Sequence, residues 1–101
     1  MVIITSKYVK PLDVTGSLLD EHRKFLDDYY QQSKFICCGT QNQRVGGVII
    51  ADVDIDDAQT IMKKDPLSVD GSAEYHFLEF TPDQCDERLL KQGWGRTFIF
   101  D

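Results

Sequence analysis

The sequence predicts an α+β domain of the ferredoxin-like kind: a βαββαβ chain with a four-stranded antiparallel sheet and both helices on one face. Three observations predict it. Two stretches carry apolar residues at helical spacing, Ser17–Ser33 and the run DDAQTIMKKDP that ends at Pro66. Four short runs are rich in β-branched and aromatic residues, as strands are. The connector between the second and third runs has hairpin length, so two strand–helix–strand crossovers interlock, each filling the gap the other skips.

The elements follow in order. Val2–Lys10 reads as the first strand, and Pro11 to Gly16 as a loop. Ser17 is placed to cap the first helix, with Asp20 three residues on as a short capping box. At about 100° per residue, Leu18, His22, Phe25, Leu26 and Tyr29 share one stripe, and the helix fades near Gln32. Phe35–Thr40 is the second strand, Gln41–Arg44 a polar connector, and Val45–Val53 the third strand. Asp54 or Asp56 caps the second helix, whose inward stripe is Ala58, Ile61, Met62 and Asp65, with Pro66 as its stop. Leu67–Ser72 is a loop, and Glu74–Phe80 the fourth strand, closed by Pro82.

The third strand does not alternate as a sheet with one wet face should. Val45, Ile49, Ala51 and Val53 point one way, Val48 and Ile50 the other; Tyr75 and Phe77 likewise oppose Leu78 and Phe80. Two helices cover only one face, and an apolar patch of several hundred Å2 is more than a monomer usually exposes. A second copy laid sheet against sheet covers it, so a homodimer is expected. The alternative cover is the C-terminal segment. Residues 83–101 are expected to form a short helix over Asp83–Gln92 and an apolar tail, docked through Trp94, Phe98, Ile99 and Phe100 on the domain (residues 1–82) or on its partner.

Composition narrows the function. The 101 residues suit one domain. Eleven Lys and Arg against 17 Asp and Glu give a net charge of −6, which disfavours nucleic acid and anionic membrane surfaces. No apolar run has the length of a membrane span, and the start MVIITSKYVK does not read as a signal peptide. Three cysteines, two of them adjacent at Cys37 and Cys38, read as reduced thiols of a cytoplasmic protein.

The chemistry rests on His22 and Asp65. A histidine inside an apolar helix stripe is either a satisfied core residue or a poised acid–base group. A carboxylate at a helix C-terminus opposes the macrodipole by about 0.3–1 kcal/mol, and burying it unpaired is far more costly. It needs a partner, and His22 on the neighbouring inward face is the natural one; the other reading has Asp65 turning back to cap the loop after Pro66. Paired, the carboxylate fixes the imidazole tautomer and the second ring nitrogen serves as base or acid. Gly39, Gly46 and Gly47 either let a ligand approach the backbone or mark a bulge or tight strand crossing. Arg44 binds an anionic ligand group or solvates the hairpin. No phosphate-cradling loop is present, and two separated histidines without a ligand cluster argue against a metal; no cofactor is expected.

The runs LLDEHRKFLDDYY, FICCGTQNQRVGGVIIA and MKKDPLSVDGSAEYHFLEFTP resemble the YciI-like (YCII-related domain) family over roughly Met1 to Pro82. The resemblance implies a dimeric α/β barrel of ferredoxin-like subunits, and a site made of a helix histidine and an aspartate before a proline. Those positions are His22 and Asp65, with Gly39, Arg44, Gly46 and Gly47 as neighbouring motif positions. The chain departs from many relatives at Cys38-Gly39-Thr40 and at Leu67, which affects pocket shape. The expected function is a cofactor-free lyase or isomerase type of acid–base chemistry on a small oxygenated, even aromatic, substrate. The competing reading is a non-catalytic small-molecule-binding or accessory dimer in which the pair is structural.

Overall fold

Alternation along the first strand sets the frame of the domain. In the computed structural model, which describes residues 1–12 and 16–86, strand β1 (Val2–Tyr8) buries Val2, Ile4 and Ser6 on one face. It ends two residues before the expected Lys10, where Val9 donates its N–H to Ser72 O at 2.9 Å. Helix α1 (Leu18–Gln31) then lays Leu18, His22, Phe25, Leu26 and Tyr29 inward, all half-buried. Ser17 stands at its N-cap but in helical backbone conformation and with no side-chain cap; Asp20 instead faces Arg23 at 3.6 Å. Ser33 leaves the helix with a left-handed φ of 58°, a turn that glycine usually supplies.

Strand β2 (Phe35–Thr40) leads into a 3-10 turn at Asn42–Arg44 and strand β3 (Gly47–Ala51). β3 is shorter than the sequence suggested because the loop before it is hydrogen-bonded sideways: Gly46 O accepts from Gln41 N at 2.8 Å and Val45 O from Tyr8 N at 2.9 Å. Helix α2 (Ile55–Met62) starts where two carboxylates meet its free N–H groups, Asp54 Oδ1 on Asp57 N and Glu79 Oε2 on Ile55 N, both at 2.8 Å. It ends at Met62, not at Asp65 as expected. Pro66 opens a further short helix, α3 (Pro66–Val69), in place of the expected loop, with Asp65 as its N-cap. Proline suits the first turn of a helix, since its missing N–H would have had no partner there. Strand β4 (Ala73–Glu79) completes the sheet.

The sheet order is β2-β3-β1-β4, with every neighbouring pair antiparallel. This is the ferredoxin-like α+β arrangement. One sheet face and α2 enclose the core of Val2, Ile4, Phe35, Ile49, Ala51, Ala58, Ile61 and Met62; Phe25, Leu26, Tyr29 and Tyr75 pack against it. Across the other face Cys37, Ile50, Ile3 and Leu78 stand in one row of register, and Leu78 is 62% exposed. Pro82–Asp86 carry no helix; the rest of the expected tail, with Trp94 and Phe100, lies outside the described residues.

Candidate active site

The break between α2 and α3 creates the site. Because Asp65 caps α3, its side chain is turned under the helices and is wholly buried. Its Oδ1 accepts from His22 Nδ1 at 2.7 Å and from Leu67 N at 3.1 Å. Its Oδ2 accepts from the Tyr75 hydroxyl. Three donors from three elements therefore converge on one carboxylate, which satisfies its burial. Pairing with His22 and capping of the segment after Pro66 were alternatives on the sequence; one oxygen does both. The macrodipole argument is corrected, since Asp65 stands at a helix start rather than a helix end.

His22 reaches Asp65 from the middle of α1 and keeps 18% of its side chain exposed. A hydrogen on Nδ1 serves the carboxylate, so the neutral ring carries its lone pair on Nε2. His22 also lines an open cleft of about 1210 Å3 between α1 and the β1, β2 and β3 ends of the sheet. The cleft wall mixes apolar side chains, such as Ile4, Leu26 and Ile49, with Ser6, Tyr75 and Cys38. Burial, and then the hydrogen bond to Asp65, hold the Tyr75 hydroxyl well above the usual phenol range, so it remains a donor. Burial, and then the Cys38 side chain, push Tyr30 upward in the same way.

The other expected site residues divide. Gly39, Arg44 and Gly47 line the cleft with His22. Gly46 does not; it lies under β1, where an added Cβ would sit 1.7 Å from Ser6 O. That glycine serves the close crossing of two backbones. At Gly39 an added Cβ would meet nothing within 4 Å, so no close approach requires it. His76 pairs with Thr5 on β1 and is exposed, outside the lining of the cleft. Among the described residues no three His, Cys, Asp or Glu side chains are grouped to hold a metal ion.

Two residues of the site were not singled out from the sequence. Tyr75 read as a strand position on the same face as Phe77, within a run that carries the family resemblance. Gln41 read as a connector residue, yet its Nε2 donates to Ser6 O and to Gly47 O, each at 3.0 Å, while Ser6 Oγ accepts from Gly47 N at 2.7 Å. This network fixes the wall of the cleft beside Arg44.

Comparison with known proteins shows the family and the fold. The model of the YCII-related domain matches residues 1–81. No curated protein matches the sequence. Among solved structures, 5-chloro-2-hydroxyhydroquinone dehydrochlorinase from Burkholderia phenoliruptrix AC1100, in complex with 2,5-dihydroxybenzoquinone, superposes with a TM-score of 0.53 at 17% identity, covering 80% of this chain and 94% of that one. The likeness is one of fold.

Proposed function

We propose, from the premise that this chain belongs to the YCII-related domain family, that it is a cofactor-independent enzyme. Its reaction moves a proton on a small oxygenated, aromatic substrate in an elimination or isomerisation. The observation that carries this reading is the 2.7 Å bond from His22 Nδ1 to a wholly buried Asp65, with the ring edge opening into a cleft. His22 Nε2 accepts a proton from a substrate hydroxyl or C–H group. Asp65 holds the Nδ1 hydrogen and balances the charge of the imidazolium that forms. The same nitrogen then returns the proton to the leaving group or to a second position of the substrate. Tyr75 and Leu67 N hold the carboxylate in place, so the base is oriented before substrate arrives. The structural neighbour is named as a dehydrochlorinase of a chlorinated hydroxyhydroquinone, which supports elimination on an oxygenated ring as the reaction class.

The working unit in this reading is a cytoplasmic homodimer. Ile3, Val48, Ile50 and Leu78 on the helix-free sheet face support a second copy packed there.

The test follows hydroxylated and halogenated hydroquinones by NMR in deuterated water. The wild-type chain exchanges or eliminates at a ring position, and His22→Ala slows this by roughly 10²–10⁴-fold. Equal rates with and without His22 contradict the reading.

A further inference from the structure

The whole chain has a net charge of −6, yet the charged groups around the cleft have the opposite balance. Among the described residues, Lys7, Lys10, Arg23 and Arg44 line it, against one carboxylate, Asp20. Two of these cations are already neutralised. Arg23 Nη1 faces Asp20 Oδ1 at 3.6 Å, and Lys10 Nζ faces Asp70 Oδ2 at 3.3 Å. Arg44 has no anionic partner among the described residues, whereas Lys7 alternates onto the sheet face away from Ile4 and Ser6, in register with Glu74.

Arg44 is also held in an unfavourable backbone conformation. Its φ is 54°, directly after Gln43 at 66°, and each such left-handed step costs an L-residue about 1–2 kcal/mol. The surroundings enforce the turn. Arg44 N donates to Gln41 O at 2.9 Å, and the bonds from Gln41 N to Gly46 O and from Tyr8 N to Val45 O lock its exit. Asparagine or glycine would relieve the strain, yet the chain carries a long cation there, on a pinned backbone at the wall of the cleft. Strain of this kind persists where surrounding bonds over-determine it, and it clusters at ligand sites.

We propose that the cleft takes its substrate as an anion, and that Arg44 is the side chain that reads the negative charge. The chemical class is a small ring acid, carrying a carboxylate or an acidic ring hydroxyl. Its apolar body lies along Ile4, Leu26 and Ile49, and its charge faces Arg44. A guanidinium matches a carboxylate with two parallel hydrogen bonds, and low-dielectric walls strengthen the field of an unpaired cation in a cleft. The inference deepens the acid–base reading by naming the substrate's charge, but it does not depend on turnover.

The experiment uses the full chain labelled with 15N and two probes alike in shape, 2,5-dihydroxybenzoate and neutral 2,5-dihydroxybenzamide. The anion binds at least about tenfold more tightly, with the largest shifts at cleft amides. Raising the salt from about 20 mM to about 300 mM erodes that preference. Arg44→Gly, which suits the left-handed turn and so keeps the fold, abolishes the preference; Arg44→Lys restores part of it. Equal affinity for the two probes, no binding of either, or a preference that survives in Arg44→Gly overturns the proposal. His22→Ala separates the two readings: it removes turnover if the acid–base reading is right and leaves the charge preference intact if this one is.

Discussion

Tyr75 on β4 donates its hydroxyl proton to the carboxylate oxygen of Asp65 that His22 does not use. The two sides of one buried carboxylate thus hold a histidine from α1 and a tyrosine from the sheet. Tyr75→Phe leaves Oδ2 without a donor in a residue with no exposed surface. The expected loss is about 1–3 kcal/mol in urea denaturation. The His22 titration should respond as well, since both side chains share the one carboxylate. A variant as stable as the wild type with an unmoved His22 midpoint contradicts this account of the tyrosine.

Tyr75 also sets a pH dependence, whose sign follows from its raised pKa. The folded protein keeps the phenol proton at a pH where the unfolded chain, near the ordinary value of 10.0, has released it. Stability from this group is therefore full below about pH 10 and falls as the pH rises above it. Tyr30, raised mainly by burial, contributes in the same direction. Melting temperatures measured across this range should fall more steeply for the wild type than for Tyr75→Phe.

Much of this was legible in the sequence. Helical spacing placed His22 on an inward face, and the need of a buried carboxylate for a partner joined it to Asp65, although Asp65 was read into a helix that stops at Met62. The break between α2 and α3 was not legible, because an aspartate before a proline ends one helix and begins another with the same two residues. Tyr75 was hidden for a related reason. Strand alternation gives a side chain its face but not the atom it meets, and the partner lies 10 residues away on another element. The free sheet face was legible, since Val48, Ile50 and Leu78 break the one-sided pattern.

Gly46 and Gly39 separate the two meanings a glycine in or beside a strand carries. An added Cβ at Gly46 would also sit 2.6 Å from Ser6 C, and backbone cannot yield as a side chain can. Gly46→Ala should cost more than about 3 kcal/mol or prevent folding, whereas Gly39→Ala, facing open space, should change stability by less than about 1 kcal/mol. Parallel chemical denaturation checks both. Similar losses at the two positions contradict the assignment of Gly46 to the crossing.

The helix-free face yields a test of assembly. Leu78 is opposite Ile3 in register and 62% exposed. At micromolar concentration the wild-type chain should sediment as a dimer, and Leu78→Glu as a folded monomer, because a charge at the centre of an apolar contact is left without water or a partner. A wild-type monomer contradicts the dimer.

The most direct test of the central claim is the tautomer of neutral His22, read from long-range 1H–15N correlations above its titration midpoint. Asp65 as an acceptor requires hydrogen on Nδ1, with Nε2 bare toward the cleft. The account predicts the Nδ1–H form in the wild type, and a changed His22 titration in Asp65→Asn, which removes the carboxylate it is bonded to. An Nε2–H tautomer in the wild type, or a midpoint indifferent to Asp65, would contradict it.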